Sequence, residues 1–159
     1  MLKLSQIVAQ GAIIPKLAGN QRDDAVAELV GALISSGAAD ASLRDELITR
    51  VLDREKRGST GFGKGIAVPH VKHKSVKTMA AAIGLSPTGV EFNSLDRQPV
   101  FSIFLLLSPE HDPESHLRAM EVIFNSLGNE TFRRFLRQAQ SVEDVRTLLE
   151  EADAQTGRR

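Results

Sequence analysis

Apolar residues recur along this chain with two different periods. Between 22 and 35, Val26, Leu29, Val30 and Leu33 share one face at helical spacing, and Gly37 follows as a stop. A second stripe, Leu43, Leu47, Val51 and Leu52, predicts a helix over about 42–56, entered through Ser42 and Asp45 at capping-box spacing. The middle of the chain changes character. Ile66–Val68 is short and β-branched, Met79–Leu85 is small and apolar, and Val100–Leu107 (VFSIFLLL) is a nearly unbroken apolar run. A run of that length between turn residues predicts a strand buried on both faces. Ile13-Ile14-Pro15 reads as a short edge strand, where proline is tolerated.

Towards the end, helical spacing returns. Asp112-Pro113 reads as an N-cap and first turn, opening a helix to about Leu127 with Leu117, Met120, Phe124 and Leu127 facing inward and Gly128 ending it. Asn129 and Ser141 are caps for two short closing helices, Ser141 with Asp144 at capping-box spacing. Helices on both sides of a buried strand set predict an α/β fold, a three-layer sandwich, as one domain over 1–151. The remaining 152–159 (ADAQTGRR) reads as a frayed tail.

Composition narrows the function. A chain of 159 residues with 42% hydrophobic content can build one compact core. Its 20 basic and 20 acidic residues cancel, so no global charge draws it to nucleic acid or an anionic membrane, although Lys64, Lys72, Lys74 and Lys77 cluster locally. The absence of cysteine excludes disulfides, thiolate catalysis and cysteine-ligated zinc. No apolar run has the length of a signal-peptide core or a membrane span. The expectation is a soluble, cytoplasmic protein.

The chemistry concentrates in residues 61–73, GFGKGIAVPHVKH. A nucleotide loop fits poorly. The glycines are spaced G-x-G-x-G, they follow a polar loop rather than a strand, and Lys64 is followed by Gly65 rather than Ser or Thr. A metal site would draw on His70, His73, His111, His116 and Asp112. The H-x-x-H pair converges only on a helix, which Pro69 and its β-branched neighbours oppose, so neither metal nor cofactor is expected. A third reading makes His70 a nucleophile. A free neutral imidazole attacks phosphorus well, and about three quarters of unperturbed histidines are neutral at pH 7. Glycines let backbone N–H groups approach phosphate oxygens, and Arg54, Ser59, Thr60 and His116 are candidates to hold the phosphoryl group. An ordinary surface histidine remains the open alternative.

The segment REKRGSTGFGKGIAVPH, 54–70, resembles the enzyme IIA domains of the bacterial phosphoenolpyruvate-dependent phosphotransferase system, in the fructose/mannitol class and nearest its nitrogen-regulatory type. FNSLDRQPVFSIFLLLSPEHDPESHLRAM, 92–120, and QAQSVEDVRTLLEE, 138–151, resemble later regions of the same family. The resemblance implies a mixed central sheet between two helix layers. It implies a phosphoryl group carried on His70 and accepted from HPr or its nitrogen-type relative. The recipient would be a IIB domain in sugar uptake, or regulated target proteins would respond to the phosphorylation state. It implies Arg54 and His116 as active-site partners and Ser59, Thr60 and Gly61 as phosphoryl-binding residues. Phe62, Ile66 and Val71 would form the apolar docking surface. One departure stands out: many members have glycine directly after the active histidine, where this chain has Val71, which would be strained if that backbone needs positive φ. His73 has no role in the resemblance and is expected to face solvent.

Overall fold

The computed structural model describes residues 2–156. In chain order, a helical turn α1 (Leu4–Ile7) runs into β1 (Val8–Ile14), followed by α2 (Arg22–Ser35), a 3-10 turn at Ala41–Leu43 and α3 (Arg44–Lys56). Three short strands follow, β2 (Gly61–Gly63), β3 (Ile66–Ala67) and β4 (His70–His73), then two long ones, β5 (Ala80–Val90) and β6 (Val100–Pro109). The chain closes with α4 (Pro113–Leu127), α5 (Glu130–Gln138) and α6 (Val142–Thr156).

The apolar run becomes the axis of a mixed sheet. β6 pairs antiparallel with β5, β1 lies parallel to β5 at the outer edge, and β3 and β4 lie parallel to the other side of β6. Alternate residues of β6 feed two separate cores. Ile103, Leu105 and Leu107 pack with Val26, Leu29, Val30 and Leu33 of α2 and with Leu47 and Val51 of α3. Phe104 and Leu106 pack on the opposite face with Ala119, Ile123 and Leu127 of α4, Leu136 of α5, and Val145 and Leu149 of α6. This is the three-layer α/β architecture expected from the pattern. Each fully buried Leu or Phe stabilises it by roughly 1.5–3 kcal/mol, which is why the run carries no outward polar alternation.

Capping follows the sequence at most ends. Asp112, Asn129 and Ser141 accept from the backbone N–H groups of Ser115, Phe132 and Asp144, as their positions predict. At the end of α2, Gly37 takes φ +86°, and the N–H groups of Ala38 and Gly37 return to the carbonyls of Leu33 and Ile34. That paired 6→1 and 5→2 pattern favours glycine because a Cβ resists positive φ. The entry to α3 differs from expectation: Asp40, not Ser42, is the cap, accepting from the Ser42 N–H at 2.9 Å and opening a 3-10 turn.

Of the expected inward stripe of α4, Leu127 is buried and Met120 and Phe124 pack partly buried against the same core, whereas Leu117 is 63% exposed; His116, Ala119 and Ile123 complete the buried face. Helix α6 continues through Thr156, past the predicted start of the tail, and 157–159 lie outside the described residues.

Candidate active site

Glycines 61, 63 and 65 build a hairpin. β2 and β3 pair antiparallel through the two-residue loop Lys64-Gly65, whose φ values are +60° and +74°. Positive φ at both loop residues is what the tight hairpin turn matching strand twist requires, and glycine adopts it without strain. The Gly65 carbonyl accepts from Phe101 and Ser102 N–H (2.8 and 3.1 Å), so the turn is stitched to β6. The backbone N–H of Gly61 donates to Ser59 Oγ at 3.0 Å. The residues expected to cradle phosphate, Gly61, Ser59 and Thr60, are engaged in hydrogen bonds within the fold. Thr60 is fully buried, with its hydroxyl and N–H both donating to the buried carboxylate of Glu55. Ser59 Oγ donates to Phe92 O and accepts from Gly61.

Beyond the hairpin, β3 and β4 hold one unbroken register along β6, with Ile66 opposite Ser102 and His70 opposite Leu106. Between them lies Val68-Pro69. Proline has no N–H to donate, but its carbonyl accepts from Leu106 N at 2.9 Å and keeps the segment on the sheet. His70 is thus the first residue of an edge strand, where a side chain can be both fixed and reached.

Strand alternation sorts the residues after Pro69. His70 shares its side with Leu106, which belongs to the core under α4, and Lys72 lies opposite Ser108 on that same side. Val71 and His73 point the other way. Val71 is buried in the core under α2 and α3, and His73 is 1% exposed, with Nε2 at 3.1 Å from Glu46 Oε1 of α3. Two expectations are corrected here. His73 does not face solvent, because the edge strand turns it onto α3. Val71 is no docking residue, because its side chain fills the core. Its backbone lies within β4 outside the positive-φ region, so the feared strain is absent. The H-x-x-H pair points to opposite faces and does not converge on a metal.

The half-buried His70 ring donates through Nδ1 to the carbonyl of Val68 at 3.0 Å. A carbonyl can only accept, so the proton of the neutral ring sits on Nδ1 and the Nε2 lone pair is left for attack. His116, in the first turn of α4, stands with its ring centroid 5.5 Å from that of His70. It is 5% exposed, and its Nδ1 lies 2.7 Å from Oγ of the fully buried Ser108. Burial, followed by the charges of Lys72 and His70, pulls the His116 pKa down to about 4, so this ring is neutral at pH 7. Asp112 fixes the turn carrying His116: the Ser115 hydroxyl and N–H bind its carboxylate and hold it below the usual range.

The structure brings together His70 and His116, and adds Lys72 and Ser108, which the motif did not point to. Arg54 ends α3 with its guanidinium donating to Gly58 O at 2.9 Å, and no hydrogen bond joins it to either histidine among the described residues. Phe62 is 47% exposed and packs edge-on against Phe124, ring centroids 5.3 Å apart. Ile66 is buried under α4, so of the three expected docking residues only Phe62 is at the surface, with Leu117 beside His116 as an unforeseen second. Among the described residues, no group of three or more His, Asp or Glu could hold a metal ion, and no helix is long and apolar enough to cross a membrane.

A half-buried histidine held on an edge strand thus faces a second histidine that is buried, an arrangement whose chemistry suits nucleophilic group transfer. The sequence profile described as "Phosphoenolpyruvate-dependent sugar phosphotransferase system, EIIA 2" matches residues 6–152, and the chain belongs to that family. It is 31% identical over 157 residues to a nitrogen regulatory protein of Pseudomonas aeruginosa, covering 99% of both chains. It is 30% identical over 152 residues to a PTS system fructose-specific EIIABC component of Bacillus subtilis, covering 96% of this chain but spanning only 24% of that protein. The fold matches the crystal structure of nitrogen regulatory protein IIA-Ntr from Neisseria meningitidis with TM-score 0.82 and 27% identity, over 92% of this chain and 98% of the other.

Proposed function

We propose that the chain is a phosphohistidine carrier of the phosphotransferase system, of the nitrogen-regulatory type, acting in the cytoplasm. The observation that carries this reading is the His70 ring: Nδ1 tied to the Val68 carbonyl, Nε2 without a hydrogen-bond partner among the described residues, and a neutral imidazole 5.5 Å away. The donor is an HPr-like phosphohistidine protein. The Nε2 lone pair of His70 forms the new P–N bond as the donor's P–N bond breaks. That bonding pair returns to the donor's imidazole, so one phosphohistidine replaces another. Positive charge gathered on the His70 ring is met, through Nδ1–H, by the Val68 carbonyl.

The incoming phosphoryl group brings a charge of about −1.5 to −2. Lys72, on the same side of β4 and close enough to act on His116, is one counter-charge. Arg54 serves as a second by releasing Gly58. Phe62 and Leu117 offer the donor a small apolar footing, suited to contacts that must release the carrier after transfer.

Near-complete mutual coverage with a nitrogen regulatory protein supports a regulatory output, in which target proteins read the phosphorylation state. Similarity to a fructose-specific protein supports a second reading with the same chemistry, delivery to a IIB partner in sugar uptake. A third reading, a regulatory binding module of this fold that no longer accepts phosphate, would draw on strain at Val71, and β4 gives that residue ordinary extended backbone. The test is intact mass under alkaline conditions after incubation with phosphoenolpyruvate, enzyme I and an HPr-type donor. One acid-labile phosphoryl adduct on wild type and none on His70→Ala is expected. An adduct retained on His70→Ala removes His70 as the acceptor.

A further inference from the structure

The apolar run of β6 ends in a polar residue with no evident reason to be buried. Ser108 is 0% exposed and lies on the side of the sheet that faces α4. A sealed hydroxyl must place its proton on an acceptor, because leaving it unpaired costs the full desolvation of the group. Among the described residues, the partner of Ser108 Oγ is Nδ1 of His116, at 2.7 Å. The hydroxyl proton therefore points at Nδ1, and Nδ1 receives it with its lone pair. A neutral imidazole has one N–H, and with Nδ1 accepting, that proton sits on Nε2.

The two rings are thereby set in opposite senses. The Val68 carbonyl demands a proton on Nδ1 of His70 and bares the lone pair of Nε2. The Ser108 hydroxyl demands a lone pair on Nδ1 of His116 and leaves Nε2 as a donor. One ring is a nucleophile and its neighbour is a hydrogen-bond donor for the phosphoryl oxygens that the nucleophile acquires. Because His116 stays neutral at pH 7, it cannot donate from both nitrogens, so a fixed tautomer matters.

We propose that Ser108 is the positioning residue of this site: through its buried hydrogen bond it holds His116 in the Nε2–H tautomer, presenting a donor to a phosphoryl group on His70. This rests on the carrier reading for its purpose, but the tautomer itself is a property of the unphosphorylated protein.

The experiment is long-range 1H–15N correlation of the histidine rings in 15N-labelled protein near pH 7, with phosphoryl uptake measured alongside. In wild type, Nδ1 of His116 is expected at an unprotonated shift and Nε2 at a protonated one, the reverse of His70. In Ser108→Ala, the His116 signals are expected to move towards a mixture or the opposite tautomer, with uptake slowed about fivefold, the factor of one ordinary hydrogen bond. Ser108→Thr, which keeps the hydroxyl, is expected to restore both. A wild-type His116 protonated on Nδ1 overturns the proposal without any variant, which covers a Ser108→Ala chain that does not fold. An unchanged His116 tautomer in folded Ser108→Ala also overturns it. Wild type that accepts no phosphoryl group from any donor overturns the carrier reading instead, and the ring signals still decide the tautomer.

Discussion

The two faces of β4 carry histidines three residues apart, with opposite fates. On the α4 side, His70 is half-buried, has no partner for Nε2 among the described residues, and faces a second ring. On the α3 side, His73 is shut in. Its Nδ1 accepts from Ser75 N–H at 3.0 Å, and its Nε2 lies beside Glu46 without an aligned hydrogen bond. Arg50 adds to this second face, donating to Lys72 O at 3.0 Å while pairing with Glu46. One strand thus has an open side and an anchored side. The anchored side fixes the edge strand against α3, and in the proposed carrier the open side would need such a fixed strand, because phosphoryl transfer depends chiefly on positioning.

The sharpest way to break this comparison is to delete each histidine in turn. His70→Ala is expected to abolish phosphoryl uptake with the fold intact, since the ring is only half-buried. His73→Ala is expected to keep the acceptor but lose about 2 kcal/mol of stability, from a buried ring and its hydrogen bond. Mass spectrometry and denaturant titration of the two variants read this directly, and the pattern reversed would refute the assignment of faces.

Next in size is His116→Ala. Losing one pre-set donor should slow transfer by about a hundredfold, as removal of a single preorganised donor does elsewhere. Stopped-flow uptake checks it, and an unchanged rate would leave His116 as packing only.

The smallest effect is on acid stability. The folded pKa of His116 lies near 4, below the 6.5 of an exposed histidine. The unfolded chain therefore binds a proton first as pH falls. The stability in question is fully present above about 6.5, declines through the window to about 4, and amounts to on the order of 2 kcal/mol after allowance for partial solvent screening. His116→Gln should flatten that window in chemical denaturation, and an equal slope in wild type and variant would contradict the shift.

The fold was legible where one physical demand dominated. β6 shows itself because a strand covered on both faces admits no polar alternation, and α2 shows itself because only one of its faces is covered. Asp112, Asn129 and Ser141 were legible because capping is local chemistry. Misreadings arose where function or tertiary pairing set the residue. His116 takes a core-facing position of α4, so its apolar neighbour Leu117 looked like the buried residue of that turn. The hairpin that the glycines build was not legible, because its turn is specified by φ values that composition does not reveal. Thr60 looked available because its partner, Glu55, is a carboxylate near the highly charged end of α3, and residue type gives no sign that it is buried.

The candidate site was legible in part. Pro69-His70 and His116 stood out by residue type, but β4 did not, since a proline before four mixed residues gives no strand signal by itself. Lys72 and Ser108 were out of reach for a different reason. Their roles come from the register of β4 on β6, which sets Lys72 opposite Ser108 and both on the side of His116.

In the proposed carrier the reactive atom is Nε2 of His70 and no other ring nitrogen. The most direct measurement is 15N–31P coupling in the 15N-histidine protein after phosphorylation by its HPr-type donor. Phosphorus is expected to couple to Nε2 of His70, with Nδ1 of that ring still protonated. Coupling to Nδ1 of His70, or to any nitrogen of His73 or His116, would contradict it.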